Sequence, residues 1–298
     1  MGAYPLLTTA LPAALGVIML GLGLSLSPAD FTRVIRYPKP VAIGLACQML
    51  LLPVLCFFII KIFALEPALA VGMMLLAASP GGTTANLYSH LAHGDVALNI
   101  TLTAVSSVVA ILAMPLIVNF SLHHFMSADK AIPLQFGKVL QVFVIVLGPV
   151  LIGMWVRSRF RSFADRMQKP VKIVSALLLA FIIVLALVKD WPTFMAYAPL
   201  VGAAALSFNL LSLAVGYYLP RLAKLSQRQA VAIGMEIGIH NGTLAIALAL
   251  SPMLLNNPTM AIPAAVYSLI MFFTAAGFGW WVNHVHGKAL QAENASPP

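Results

Sequence analysis

The chain has 298 residues, of which 61% are hydrophobic and only 8% charged, against about 25% charged residues in an average soluble domain. With a mean hydropathy of +0.97, a water-soluble globule, a disordered chain and a disulfide scaffold are excluded, which leaves an all-α polytopic membrane protein. The net charge of +9 raises the question of nucleic acid, which the positions of the charges answer below.

A membrane helix needs about 20 mostly apolar residues. In chain order the hydropathy predicts nine spans, at about 6–25, 40–62, 68–92, 97–120, 135–156, 170–189, 198–219, 229–252 and 262–284. Connections are short, so residues 1–298 read as one transporter-like membrane domain with a cytoplasmic tail over 285–298. The first span is not expected to be a cleaved signal peptide, because no basic residue precedes it; the first is Arg33. Cys47 and Cys56 share the second span and read as small buried hydrophobes rather than a disulfide or metal pair.

Nine spans place the two ends on opposite sides. With the N-terminus outside, 13 of the 17 basic residues fall on the inner side, in the segments holding Arg33–Lys39, Arg157–Lys172, Arg221–Arg228 and Lys288. The positive-inside rule therefore predicts N-out, C-in, with a bacterial inner (plasma) membrane as the expected location. The charge is a topology signal, and no nucleic-acid partner is expected.

Two spans are interrupted. The third carries Ser79-Pro80-Gly81-Gly82-Thr83-Thr84-Ala85-Asn86, in which proline removes a backbone donor and clashes with the preceding turn. The eighth carries Gly234-Met235-Glu236-Ile237-Gly238-Ile239-His240-Asn241-Gly242-Thr243. A broken helix leaves backbone groups unpaired at membrane depth, which is tolerated only where protein or a water-filled cavity satisfies them. Glu236 is the one acidic residue placed well inside a span. An ionisable group there is by default a functional-site hypothesis; the alternative is pairing with a buried Lys or Arg, and no other span offers one at depth. Two interrupted spans in corresponding places of two halves point to a transporter site, and their separation by five spans implies repeats inverted in the membrane. Two unrelated kinked helices are the alternative.

Hard cations such as Na⁺ take oxygen ligands. Broken helices supply free carbonyls, and half-helix N-termini present N–H groups to anions. Glu236 adds a negative charge, and neutral oxygens gather around the breaks: Gln48, Thr83, Thr84, Asn86, Asn99, Thr103, Asn241 and Thr243. Asn99 and Thr103 stand at i and i+4 and share a helix face. Any one of them alone could equally serve a helix–helix hydrogen bond.

The motifs Pro80-Gly81-Gly82-Thr83 with Asn86, His93-Gly94-Asp95-Val96-Ala97-Leu98, and Glu236-Ile237-Gly238 with Asn241 resemble those of the bile acid:sodium symporter family over about Leu11 to Trp281. The resemblance implies a core domain with two crossing interrupted helices, here about 40–120 and 198–252 with neighbours. It also implies a panel that rocks against the core, drawn from about 6–25, 135–189 and, in part, 262–284. It implies two Na⁺ sites, one on Ala85, Asn86, Asn99, Thr103 and Glu236, the other on Gln48, Glu236, Ile237, Ile239 and His240, with the isoleucines offering carbonyls. The organic anion substrate would lie near Thr83, Thr84, Asn241 and Gly242. Ala85 and Asn99 stand where Ser is usual, and His240 where Gln is usual. For His240 three roles are open: its side chain turns away while its carbonyl and a water keep Na⁺ bound, it replaces one Na⁺ with a proton, or it tunes affinity.

The expected function is sodium-coupled symport of an organic anion across the lipid bilayer, with no cofactor beyond the coupling ion. The alternatives are a proton-coupled carrier using Glu236 and His240, and a channel or passive facilitator. An enzyme is not expected: the sequence holds no H-E-x-x-H, G-x-S-x-G or P-loop.

Overall fold

The computed structural model describes residues 16–17, 19–82, 84–126, 136–189, 191–251 and 254–295. Within them the chain is helical, and the one β pairing is an isolated bridge. Helix α1 covers 19–25, and α2 (Pro28–Thr32) with a 3-10 turn (Arg33–Ile35) lies just beyond it. Asp30 pins this turn, accepting from the Ser27 backbone N–H at 2.7 Å and pairing with Arg33 at 2.7 Å.

Helices α3 (Pro38–Ala46) and α4 (Leu52–Ile62) are joined through a wide π turn, Cys47–Leu51, into one rod. Pro53 explains the wide turn. It has no N–H to give the Met49 carbonyl and its ring would strike it; the Leu52 N–H instead reaches back five residues to Cys47. Then come α5 (Pro67–Ala77), α6 (Ala85–Leu91), α7 (Val96–Phe125), α8 (Phe136–Arg159), α9 (Arg161–Lys189), α10 (Trp191–Leu222), α11 (Gln227–Gly238), α12 (Gly242–Leu250) and α13 (Pro258–Ala295). Four stretches are long and apolar enough to cross a membrane by length and composition: Pro38–Ile62, Val96–Phe125, Met195–Leu222 and Pro258–His286. The third and eighth expected spans are the pairs α5–α6 and α11–α12, each split where the sequence places proline or glycine.

The helices wear their apolar side chains outward and their polar ones inward. Leu112, Leu116 and Phe273 are 69%, 71% and 80% exposed, while Gln48, Asn99 and Glu236 are buried. This suits a lipid surround, in which polar groups face the bundle interior. The chain is an integral membrane protein.

The same turn geometry recurs in the two halves. After α4, Ala64 takes a left-handed φ of 47°, with Ala64 N–H bonded to the Lys61 carbonyl and Leu65 N–H to that of Ile60. After α10, Lys224 takes φ 62°, with the matching bonds to Arg221 and Pro220. From 64 to 224, and from Pro67 to Gln227 at the starts of α5 and α11, the displacement is 160 positions. His93 (φ 56°) closes α6 with bonds of the same form, to His90 and from Gly94 to Ser89, whereas Asn256 (φ 44°) lies six residues past the end of α12 and bonds to Ser251.

α13 packs on α5, α10 and α12, and α11 packs on α10, α6 and α7. α10 and α11 meet backbone to backbone: a methyl group built on Gly216 would come 2.7 Å from the Gly234 Cα. Small residues permit such close approach between membrane helices. Gly202, on the same helix, has nothing within 4 Å of that position. Gly216→Ala is expected to lower the melting temperature by the cost of overpacking, about 1–3 kcal/mol, while Gly202→Ala leaves it unchanged or raises it slightly; thermal unfolding in detergent measures both.

Candidate functional site

The two interruptions meet. Gly81 and His240 form an antiparallel β-bridge; the Gly82 N–H donates to the Ile239 carbonyl at 2.7 Å, and the Asn241 N–H donates to the Pro80 carbonyl at 2.8 Å. Each break thus satisfies backbone groups that the other exposes. Pro80 has no N–H to leave unpaired, and its carbonyl accepts.

Glu236 sits in the last turn of α11, fully buried. Thr103 Oγ1 donates to its Oε2 at 2.7 Å, and Ser106 Oγ to its Oε1 at 3.4 Å. Both come from α7, one turn apart. The carboxylate lies directly against Gly81: a methyl group there would overlap its oxygens, so this position takes no side chain. The ion pairs among the described residues are Arg33–Asp30 and Arg157–Asp165. Among the described residues, Glu236 forms no ion pair.

Three amide side chains of the elements that meet here are only partly engaged. Asn99 Nδ2 donates to the Ala232 carbonyl at 2.7 Å, so its Oδ1 faces elsewhere. Gln48, in the π turn, donates from Nε2 to the Ser79 carbonyl at 3.3 Å. Among the described residues, no hydrogen-bond partner reaches the buried Gln48 Oε1, Asn86 Oδ1 or Asn99 Oδ1. A buried polar atom without a partner costs about 1–3 kcal/mol, so these oxygens are available to a ligand, as are Ser89 Oγ, Asn209 Oδ1 and His240 Nε2 elsewhere among the described residues.

His240 approaches the Ser79 carbonyl through Nδ1 at 3.3 Å. A carbonyl only accepts, so Nδ1 carries the hydrogen. The ring stacks on Phe208, with centroids 5.6 Å apart, and meets Tyr267 edge-on at 5.4 Å. Its side chain is therefore engaged with the first break and with two aromatic rings. Ile237 is buried at the end of α11, and the Ile239 carbonyl is held by Gly82. Ala85 opens α6, its N–H bonded to the Gly82 carbonyl at 2.9 Å.

The four residues expected near the substrate are placed differently from one another. Thr83 lies outside the described residues. Thr84 stands half-buried at the N-cap of α6 without a side-chain capping bond. The Asn241 Oδ1 caps α12, accepting from the Leu244 N–H at 3.0 Å. Gly242 is buried against Ser268 of α13. A cavity of about 300 Å³ opens beside the first break, between α1 and α8 on one side and α7 and α12 on the other. Leu22, Val150, Met154, Pro80, Ser107 and Leu244 are among its walls; Thr84, Asn241 and Gly242 are not. Its one hydroxyl, Ser107, is bonded to the Thr103 carbonyl at 2.6 Å.

Ser106 and the π turn were not singled out from the sequence. The signal for Ser106 was present: it stands at i+3 from Thr103 and shares its face. Pro53 was the signal for the wide turn.

Residues 12–196, more than half of the chain, match the model of the Sodium Bile acid symporter family. The chain is 27% identical over 256 residues to the "Uncharacterized sodium-dependent transporter YocS" of Bacillus subtilis, covering 86% of this chain and 77% of that one. It is 27% identical to the "Probable sodium/metabolite cotransporter BASS2, chloroplastic" of Oryza sativa, over 86% of this chain and 60% of the other. It is 28% identical to the "Sodium-dependent organic anion transporter" of Bos taurus, over 76% and 60%. The chain thus spans less than two thirds of the length of the last two.

Asn241→Ala removes the α12 cap and is expected to destabilise by about 1 kcal/mol, with Asn241→Ser recovering most of it; thermal unfolding without added sodium reads both.

Proposed function

The chain belongs to the Sodium Bile acid symporter family, a family of transporters and not of enzymes, and on that premise we propose that it is a sodium-coupled symporter of an organic anion working by alternating access. The observation that carries the reading is the buried Glu236 carboxylate, bonded among the described residues to hydroxyls alone, with buried amide oxygens of Gln48, Asn86 and Asn99 left without partners on the elements that meet there. This donor set suits a hard monovalent cation and not a soft metal.

One Na⁺ is assigned to Asn86, Asn99, Thr103 and Glu236, with Ala85 contributing backbone only. A second is assigned to Gln48, Glu236, Ile237, Ile239 and His240. That set is thinner, because the Ile239 carbonyl and His240 Nδ1 already hold the first break. The organic anion is assigned to the crossing, near Thr83, Thr84, Asn241 and Gly242, with its body in the apolar cavity beside Pro80. The start of α12 offers the positive end of a helix dipole, although its Gly242 and Leu244 N–H groups are already bonded to His240 and Asn241.

In this scheme the nine spans form inverted repeats, as the matched turns and the antiparallel crossing support. The packing of α13 on α5, α10 and α12 supports grouping the last helix with the core in this scheme, with the panel drawn from the first span, α8 and α9. Orientation is N-out, C-in, in a bacterial inner (plasma) membrane. Bound Na⁺ neutralises Glu236 and steadies both breaks, so that cation and substrate favour the same state; without that shared preference there is no coupling. Each net positive charge carried inward gains about 2.3 kcal/mol per 100 mV of membrane potential.

Purified protein is expected to melt several degrees higher in saturating NaCl than in KCl of equal ionic strength, since a ligand at about 100 times its Kd stabilises by about 2.7 kcal/mol. Glu236→Gln is expected to abolish the difference. Equal melting in both salts, together with uptake driven by a pH gradient in sodium-free buffer, would overturn the reading in favour of a proton-coupled carrier. Gly81→Ala, whose methyl occupies the place of the carboxylate, is expected to lose the sodium shift as well, while Gly277→Ala, with nothing within 4 Å, keeps it.

A further inference from the structure

Behind the second break lies a fully buried polar group to which neither Na⁺ set nor the substrate set has been assigned. Asn209 of α10 donates from Nδ2 to the Gly238 carbonyl at 2.8 Å and to the Tyr267 hydroxyl at 2.8 Å. The Tyr267 hydroxyl, from α13, donates to the same Gly238 carbonyl at 2.8 Å. Both side chains are 0% exposed. Two donors from two helices therefore converge on one carbonyl, at the last residue of α11.

The terminal carbonyls of that half-helix are treated unequally. Met235 accepts from the Ile239 N–H at 3.1 Å, Gly238 accepts from Asn209 and Tyr267, and Ile239 accepts from Gly82. Among the described residues no hydrogen bond reaches the carbonyls of Glu236 and Ile237. The last carbonyls of a helix need partners, and the brace on Gly238 settles which stay available. The first half carries the same device: the amide of Gln48 reaches the Ser79 carbonyl at 3.3 Å, just past the end of α5. From Gln48 to Asn209 is 161 positions and from Ser79 to Gly238 is 159, close to the 160 that relates the matched turns.

We propose that Asn209 and Tyr267 are positioning residues that hold the Gly238 carbonyl and thereby aim the free carbonyls of Glu236 and Ile237 toward the coupling cation. The inference rests on the sodium reading above and assigns its affinity to a pair outside the ligand shell. Tyr267 does this through its hydroxyl. Its ring also bears on Phe208 and His240, and Tyr267→Phe keeps those contacts while removing both hydrogen bonds of the hydroxyl, the one it gives to Gly238 and the one it takes from Asn209.

The test is an NaCl titration of melting temperature at constant ionic strength, with KCl as the balancing salt, on the full-length protein, Tyr267→Phe and Asn209→Ser. The variants are expected to melt somewhat lower than the wild type without sodium and, in addition, to need about three- to tenfold more NaCl for half of the shift, the range of the one hydrogen bond each loses at the Gly238 carbonyl. A wild-type NaCl midpoint in both variants overturns the proposal. So does a fall in the sodium-free melting temperature with the midpoint unmoved, since that is a structural role alone. If Tyr267→Phe does not fold, Asn209→Ser decides by the same criteria. A wild type that shows no sodium shift overturns the sodium reading itself, whereas a wild-type shift left intact in the variants overturns only the role of this pair.

Discussion

The constraint on which the rest depends is the need of two broken backbones for partners inside an apolar bundle. In the hydrocarbon region each unsatisfied N–H or C=O costs several kcal/mol. Here the breaks answer each other: Gly82 bonds to Ile239 and Asn241 to Pro80, in an antiparallel pair. Antiparallel pairing requires the two chains to run in opposite directions at the crossing. That fits two helix pairs entering from opposite sides, and it holds two half-helix ends at one point.

Glu236 follows from this arrangement. Its carboxylate rests on Gly81, at the crossing, where no side chain intervenes. Hydroxyls from α7 reach it on both oxygens, and α7 itself is anchored to α11 by Asn99 through the Ala232 carbonyl. The same crossing brings Gln48 and His240 onto one carbonyl, that of Ser79. One side chain from each half thus braces the first break, and a cation bound among them would feel both halves at once.

The long apolar helices Pro38–Ile62, Val96–Phe125, Met195–Leu222 and Pro258–His286 were legible because hydropathy and length report on lipid directly. The positions of the breaks were legible because proline and clustered glycine cannot continue a helix. The buried carboxylate was legible because a charge is rare at that depth. The cavity walls were not legible: Leu22, Val150 and Met154 are ordinary apolar residues, and only the approach of α1 to α8 and of α7 to α12 makes them a surface. The same holds for Asn241 and Gly242. Their sequence neighbourhood pointed to substrate, whereas their immediate contacts are an N-cap bond to Leu244 and the side chain of Ser268.

By itself the sequence determined the membrane setting, the breaks at Pro80 and at Gly238–Gly242, and the presence of a lone acid among neutral oxygens, since each rests on local chemistry that no packing can alter. Tertiary structure alone decided which oxygens remain without partners, that His240 is tied to Ser79, and that Asn209 and Tyr267 converge on Gly238. Those outcomes depend on helices 31, 161, 29 and 58 residues apart in sequence meeting at hydrogen-bond distance. A donor's partner is set by where the other helix lies, and that information is not local to any stretch of chain.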